Sequence, residues 1–209
     1  MKLYLSSYQY GNEFPKYVEM VGKGAKIAVI ANSRDSFDET RKNARTKECL
    51  DYLDSIGLCA EALDLRDYFH DNLALETELA KMNGVWLLGG NAFVLRKAFR
   101  QAGLDTLLPK LIRTNQLVYG GFSAAGCVLG PSLHGVELVD EEHLDCEPYQ
   151  DETVWEGLGL LDYAFVPHYK SDHPESANID KYVAYLQQNN MPYEALHDGE
   201  VIIIDSKAE

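Results

Sequence analysis

Basic residues are scarce in this chain of 209 residues. Lysine and arginine total 19 against 33 aspartate and glutamate residues, which gives a formal net charge of −14. Binding to nucleic acid or to an anionic membrane surface depends on clustered lysine and arginine side chains. The composition therefore argues against both kinds of partner. It leaves a small substrate open, since a pocket can carry a local charge opposite to that of the whole chain.

Cysteine pairs and long apolar runs are also lacking. The four cysteines are scattered, with no Cys-x-x-Cys pair and no histidine at a zinc-like spacing, so we expect reduced thiols and no metal site. No run approaches the about 18 apolar residues that a membrane-spanning helix needs. The opening stretch MKLYLSSYQYGNEF does not match a secretory signal. We therefore expect a cytoplasmic protein.

The pattern that is present alternates short apolar runs with helical spacing. Runs such as AKIAVIANS (25–33) and GVWLL (84–88) predict strands buried on both faces, and amphipathic segments separate them. No repeat, low-complexity tract or linker interrupts the chain. We therefore predict one domain over residues 1–209, an α/β three-layer sandwich with a mostly parallel sheet.

Binding sites of such sheets gather beyond the carboxyl ends of the strands. Three segments follow predicted strands there, namely GGN (89–91), GFSAAG (121–126) and PHY (167–169). Ser123 has Gly121 two positions before it and Ala125 two positions after it, as a nucleophile elbow requires, because larger side chains would collide on so sharp a turn. The alternative is an ordinary serine in a strand-to-helix connection.

A nucleophilic serine needs a base, and the chain has six histidines. His168 ends the run YAFVPHY, so a strand would hold it at the sheet edge where Ser123 emerges; a buried structural histidine is the alternative. His173 lies in HPE (173–175), which imitates the His-Pro-Glu of class I glutamine amidotransferases, and stays open as a base or a substrate contact. Those enzymes use an elbow cysteine, whereas Cys127 follows Ser123 by one helical turn, so thiol chemistry is disfavoured.

Three blocks in this order resemble the dipeptidase E (α-aspartyl dipeptidase) family of serine peptidases: LLGGNAFVLRKAFRQAGL, VYGGFSAAGCVLGPSL and LGLLDYAFVPHY. The resemblance spans nearly the whole chain. It implies a class I glutamine amidotransferase-like fold and no metal or cofactor. By motif, Ser123 would be the nucleophile and His168 the general base, with the N–H groups of Gly90 and Ala124 forming an oxyanion hole. Asn91 would cap the following helix or orient substrate.

The sequence departs from the family at two points. The usual Ser-Ala-Gly is here Ser-Ala-Ala, and the acid expected fifteen residues after the serine is replaced by Leu138. Glu137 and Asp140 lie close by, but we favour Asp198 in ALHDGEV, because a turn at a strand end holds a carboxylate better than an acidic loop does. A turn-forming Asp-Gly pair is the alternative explanation of Asp198.

The resemblance implies short peptide substrates with an N-terminal aspartate, which call for a cation near its side chain and an anion near its amino group. The candidate cations are Arg96, Arg100, Arg113 and Lys170, and Lys170 is nearest in sequence to His168. The competing hypothesis is a catalytically inactive relative that acts as a ligand-binding or interaction module, given the altered elbow and the missing acid. The sequence leaves monomer and homodimer equally open.

Overall fold

A computed structural model describes residues 1–144, 146–150 and 152–206. Helices and strands alternate through most of the chain, as predicted. The strands are β1 (Lys2–Ser6), β2 (Lys26–Ile30), β3 (Cys59–Ala62), β4 (Gly84–Leu87), β5 (Val118–Phe122), β6 (Ala164–Val166), β7 (Tyr193–Ala195) and β8 (Val201–Asp205). The α-helices are α1 (Phe14–Val21), α2 (Glu39–Ser55), α3 (Asn72–Leu79), α4 (Ala92–Gln101), α5 (Leu104–Arg113), α6 (Ala124–Cys127) and α7 (Ser176–Gln188).

Six strands form one sheet in the order β3-β2-β4-β5-β1-β8, and all neighbours are parallel except β8, which runs antiparallel to β1. Alternate residues of these strands point to opposite faces. Ile27, Val29 and Trp86 pack on one face with residues of α1 and α2, whereas Ala28 and Val85 pack on the other with α3–α7. Both faces are buried, so the mostly parallel α/β sandwich is confirmed.

The carboxyl ends of the parallel strands meet at one edge of the sheet. The chain passes from β2 outward to β3 and then returns to β4 on the other side of β2, which opens a crevice between the ends of β2 and β4. Two hydrogen bonds tie the segments that leave these ends: Asn91 N–H donates to Ser33 O at 2.8 Å, and Ser33 Oγ donates to Leu88 O at 2.7 Å. This crevice adjoins the end of β5, where Ser123 lies.

One local prediction differs from the structure. The run ending in His168 forms β6, which pairs with β7 in a separate two-stranded parallel sheet, so no strand of the main sheet carries His168. The strands flanking Asp198-Gly199 do not pair with each other, because β7 joins β6 and β8 joins β1. The Asp-Gly turn therefore links two sheets, and this connection brings Asp198 beside His168.

Candidate active site

Ser123 occupies a strained turn between β5 and α6. Its backbone has φ 53° and ψ −114°, a conformation that non-glycine residues rarely adopt. The small neighbours explain how the turn fits: a Cβ added at Gly121 would lie 2.6 Å from the Ala125 Cβ and 2.7 Å from Leu87 O. The extra methyl group of Ala125 is thus accommodated opposite a residue that has no side chain. The sharp turn expected of a nucleophile elbow is present.

The His168 ring lies between Ser123 and Asp198, and each of its two nitrogens faces one of them. His168 Nε2 is 3.2 Å from Ser123 Oγ, and His168 Nδ1 is 2.7 Å from Asp198 Oδ1. The histidine side chain is 2% exposed and that of Asp198 23%. Burial lowers the pKa of His168, and the hydrogen bond to Asp198 opposes this effect. The neutral imidazole then donates from Nδ1 and offers its Nε2 lone pair to the serine hydroxyl.

Ser7, which the sequence analysis did not single out, connects these groups. Its Oγ lies 2.9 Å from Asp198 Oδ1, to which it donates, and accepts from the backbone N–H of His168 at 2.8 Å. A second serine, Ser171, accepts from the Asp198 N–H at 2.8 Å. His168 has a left-handed backbone, φ 59°, and these hydrogen bonds hold it there. The sequence offered one indication of this role. Ser7 directly follows β1, and β1 pairs with β5, the strand that leads to Ser123.

The other two acids named as alternatives, Glu137 and Asp140, accept hydrogen bonds from backbone N–H groups. Glu137 Oε2 accepts from the Gly135 N–H at 2.6 Å, and Asp140 Oδ2 accepts from the Ala92 N–H at 2.7 Å, at the start of α4. Burial raises the pKa of Asp140 to about 7 despite that backbone hydrogen bond. Among the three carboxylates considered, Asp198 is the one hydrogen-bonded to His168.

The predicted oxyanion-hole residues flank Ser123. Ala124 begins α6 directly after the serine, and Gly89 and Gly90 line the same cavity as Ser123 and His168. A Cβ at Gly89 would come within 3.0 Å of the Ser123 Cβ, and one at Gly90 within 2.5 Å of Ser33 O. Both positions therefore need glycine, although only Gly90 was predicted as an oxyanion donor.

Cys127 is buried on the side of α6 facing β6, where its thiol lies 3.5 Å from Phe165 O. Burial raises the pKa of this thiol, so the reactive thiolate is disfavoured. This agrees with the expectation that thiol chemistry does not operate here.

His173 stacks face to face on His168, with ring centroids 3.7 Å apart and an interplanar angle of 6°. Tyr8 packs edge-on against both rings. Glu175 is close by, with its Oε2 4.0 Å from His168 Nε2. His173 therefore lies at the predicted site, whereas Tyr8 and Glu175 were not predicted.

Two other predicted substrate contacts lie elsewhere. The Asn91 side chain accepts from the Val94 N–H at 2.9 Å and donates to Glu141 O at 2.8 Å. Its polar groups are thus engaged in capping α4 and anchoring a loop, which is the structural alternative named above. Lys170 is exposed, and its Nζ lies 4.9 Å from the centroid of the Tyr169 ring, outside the cavity that holds Ser123.

The three arginines named as candidate cations are also outside that cavity. Arg96 is buried, where its Nε donates to Glu156 O at 2.7 Å and its Nη1 pairs with Asp105 at 3.3 Å. Arg100 pairs with the same two acidic residues, and Arg113 lies in the exposed last turn of α5. Arg96 and Arg100 thus pair with acidic residues near α4 and α5, and none of the three arginines lies beside Ser123, where a substrate-binding cation was expected.

A different set of arginines lines the cavity of about 550 Å³ that opens onto Ser123. Arg34 follows β2, and Arg41 and Arg45 lie one turn apart on the cavity side of α2. Arg45 pairs with Glu48 at 2.7 Å. Arg34 Nε is buried without a hydrogen-bond partner among the residues described, and burial together with Arg45 and Arg41 lowers its pKa. The three arginines outnumber the two carboxylates that line the same cavity, Glu48 and Glu175, so the lining carries a net positive charge although the chain is acidic.

A buried ionic network holds the turn that carries Arg34. The Asp35 side chain is fully buried and contacts Lys42 and Tyr149, while Asp64 accepts from Asn32 at 2.8 Å. Arg66 pairs with Asp64 at 2.6 Å. Burial alone would raise the pKa of Asp64, but the hydrogen bonds from Arg66 and Asn32 outweigh it and hold that pKa well below its usual range. The network fixes the cavity wall beyond β2 and β3.

We expect Asp64→Asn to lower the free energy of unfolding by about 1–3 kcal/mol at pH 7, as for the loss of a hydrogen-bonded charge. A carboxyl whose pKa is lowered by folding stabilises the protein above its unfolded pKa of about 4, and this contribution is lost as the pH falls below that value. The difference between variant and parent should therefore shrink below pH 4 in urea unfolding. Asp180→Asn, at an exposed carboxylate on α7, is the control; an equal, pH-independent loss in both variants would contradict the account.

Comparison with known proteins identifies the family. The model of peptidase family S51 matches residues 18–208, and the chain belongs to that family, as the resemblance to dipeptidase E predicted. It is 28% identical over 120 residues to the uncharacterized peptidase Lmo0363 of Listeria monocytogenes, covering 57% of this chain and 55% of that protein. It is 27% identical over 155 residues to Peptidase E of Streptomyces coelicolor, covering 71% of this chain and 60% of that one. The chain thus spans little more than half the length of these relatives.

A longer match and the solved structures agree with this assignment. The uncharacterized peptidase PM1590 of Pasteurella multocida is 26% identical over 220 residues, covering 100% of this chain and 95% of that protein. A crystal structure described as a candidate peptidase E protein from Listeria monocytogenes EGD-e superposes with a TM-score of 0.77 at 24% identity, over 97% of this chain and 93% of the other. The crystal structure of a peptidase from an acI-B1 actinobacterium superposes with a TM-score of 0.58 at 16% identity, over 85% of this chain and 74% of the other. The two structures establish the shared fold.

Within the described residues, no helix is both long enough and apolar enough to cross a membrane.

Proposed function

We propose that this protein is a serine peptidase that hydrolyses short peptides through an acyl-enzyme. The observation that carries the proposal is the hydrogen-bonded series from Ser123 Oγ through His168 to Asp198, at 3.2 and 2.7 Å, with the serine on a strained turn. A serine hydroxyl paired with a fixed imidazole, which is in turn oriented by a carboxylate, is the arrangement that activates oxygen nucleophiles.

In the first step Ser123 Oγ attacks the scissile carbonyl carbon while His168 Nε2 takes the hydroxyl proton. Asp198 holds the ring in the tautomer that leaves Nε2 free and stabilises the imidazolium that forms. The backbone N–H groups of Gly90 and Ala124 receive the negative oxygen of the tetrahedral intermediate. Each such donor lowers the activation free energy by about 3 kcal/mol, because it stabilises negative charge that develops only in the transition state.

Collapse of the intermediate breaks the C–N bond, and His168 passes its proton to the leaving amine. Water then attacks the ester on Ser123, with His168 again taking the proton, and the serine is restored when the second intermediate collapses. Every proton in this cycle travels through Nε2, so the hydrogen bonds that fix the His168 ring matter for the rate: Ser7 Oγ donates to Asp198 Oδ1 and accepts from the His168 backbone N–H.

The charges around the cavity support an N-terminal acidic residue as the preferred first residue of the substrate. Within the described part of the chain, the Nε of Arg34 has no hydrogen-bond partner, and Arg41 and Arg45 add positive charge to the same wall. Glu175 Oε2 lies 4.0 Å from His168 Nε2, close enough to receive an amino group two bonds from the scissile carbonyl. Arginines that bind a side-chain carboxylate, together with a glutamate that binds the free amino group, favour an Asp-X substrate.

Hydrolysis of Asp-Leu, Asn-Leu and N-acetyl-Asp-Leu tests this assignment. Asparagine has nearly the shape of aspartate without its charge, and acetylation removes the ammonium group. Since a hydrogen bond to a charged group contributes about 1.5–3 kcal/mol, we expect kcat/KM to fall about 10- to 100-fold for each change. Equal rates for the three peptides would contradict the acidic specificity while leaving the serine mechanism standing.

A further inference from the structure

Three metal-binding side chains converge at the mouth of the active site. His168, His173 and Glu175 each offer a ligand atom, and these atoms all lie within 4.8 Å of one another. Glu175 Oε2 is 4.0 Å from both His168 Nε2 and His173 Nδ1. Two imidazoles and one carboxylate form a ligand set that Zn²⁺ commonly takes, with a fourth position left for water.

The hydrogen bonds already present prepare His168 as a ligand. Its Nδ1–H faces Asp198 Oδ1 at 2.7 Å, which leaves the lone pair on Nε2. A carboxylate behind a ligating histidine fixes the tautomer and raises the basicity of the ligand nitrogen. His173 Nδ1 carries a lone pair that now accepts from the Glu175 N–H at 3.3 Å, and a metal ion at this nitrogen would replace that hydrogen bond. The interactions that make His168 a base thus also suit it to bind a metal ion.

We propose that Zn²⁺ binds His168, His173 and Glu175 and thereby switches off the active site reversibly. In a tetrahedral site with ligands about 2.1 Å from the metal, the ligand atoms lie about 3.4 Å apart. The 4.0 Å separations therefore have to close by about 0.6 Å. His173 also has to turn out of its parallel stack on His168, because the lone pair of an imidazole nitrogen lies in the plane of its ring. The side chains of His173 and Glu175 are 19% and 44% exposed, so both have room to move.

The inhibition follows from the electron pair that the metal uses. Zn²⁺ accepts the Nε2 lone pair of His168, which otherwise receives the proton of Ser123, so the hydroxyl loses its base. No bond is broken and no electron is transferred, and a chelator restores the free imidazole. The binding itself needs only the three side chains, whereas the inhibition rests on the proposed function.

Calorimetric titration of the metal-free protein with ZnCl₂ tests the binding. We expect one site per chain with a dissociation constant of about 10 μM or below. His173→Asn and the nearly isosteric Glu175→Gln should each weaken it about 100-fold, since each removes one of three ligands. Cys59→Ser is the matched control, because Cys59 is an exposed thiol outside the site. Absence of binding, or binding lost in Cys59→Ser and retained in Glu175→Gln, overturns the proposal.

Labelling of Ser123 by a fluorophosphonate, measured against Zn²⁺ concentration, tests the inhibition. Labelling should fall with the same midpoint as the calorimetric binding and return on addition of EDTA. In His173→Asn the midpoint, taken relative to that variant's own metal-free labelling, should move about 100-fold upward. Stoichiometric Zn²⁺ binding that leaves labelling unchanged refutes the inhibitory role. A protein that binds Zn²⁺ as expected but neither labels nor turns over Asp-X dipeptides instead refutes the serine mechanism.

Discussion

Replacing Ser123 with alanine is expected to lower kcat on the best dipeptide by about four to six orders of magnitude, with a small change in KM. Removal of the nucleophile from a Ser-His-Asp arrangement has effects of this size, and the residual rate comes from binding and from the oxyanion donors. Because alanine lacks only the hydroxyl, the fold should be retained. Steady-state kinetics with a sensitive amine-detection assay measures the effect.

Cys127→Ala is the matched control for this variant. Cys127 lies one helical turn beyond Ser123, and its buried thiol faces Phe165 O, away from any role in the proposed cycle. The control variant should therefore keep its activity. If Cys127→Ala abolished turnover and Ser123→Ala retained it, the chemistry would belong to the thiol and the account of the elbow would be wrong.

Replacing Arg34 with methionine is expected to remove the preference for aspartate. The ratio of kcat/KM for Asp-Leu to that for Asn-Leu should fall about 10- to 100-fold, because the variant loses a charged group of the cavity wall whose Nε has no hydrogen-bond partner among the residues described. Methionine keeps much of the length and the apolar contact area of the side chain. The rate on Asn-Leu should change little, which separates a loss of specificity from damage to the site.

Lys47→Met removes a positive charge from the outer side of α2, where Lys47 pairs with Asp51 at 2.7 Å. It therefore controls for the change in net charge. An equal fall of the Asp-Leu to Asn-Leu ratio in both variants would mean that long-range attraction, not a contact from Arg34, selects the substrate.

The sequence sufficed for the features that depend on local pattern. Ser123 was identifiable because Gly121 and Ala125 are small at the two positions where a sharp turn demands it, and the apolar runs predicted the parallel sheet. His168 was predicted to lie beside Ser123, and it does, but the prediction that a strand of the main sheet holds it was wrong. A left-handed backbone held by Ser7 positions it, and nothing in the local sequence around His168 reports a serine 161 residues away.

The features that the sequence did not reveal depend on how distant segments meet. Arg34, Arg41 and Arg45 lie in a polar stretch that is typical of a solvated helix, and their place around the cavity is visible only in the fold, where α2 packs against β2 and β3. Lys170 was favoured for its closeness in sequence to His168, yet its side chain lies over Tyr169. Asp198 was favoured over Glu137 and Asp140 from the sequence, but its contact with His168 arises because the turn between β7 and β8 joins two different sheets.

Reaction of the purified protein with a fluorophosphonate probe, followed by peptide mapping, tests the central claim most directly. The account predicts a single modified residue, Ser123, with labelling lost in His168→Ala while the circular dichroism spectrum stays unchanged. Label on another residue, or equal labelling with and without His168, would contradict an activated elbow serine. A well-folded protein that neither labels nor turns over Asp-X dipeptides would instead be a catalytically inactive member of the family.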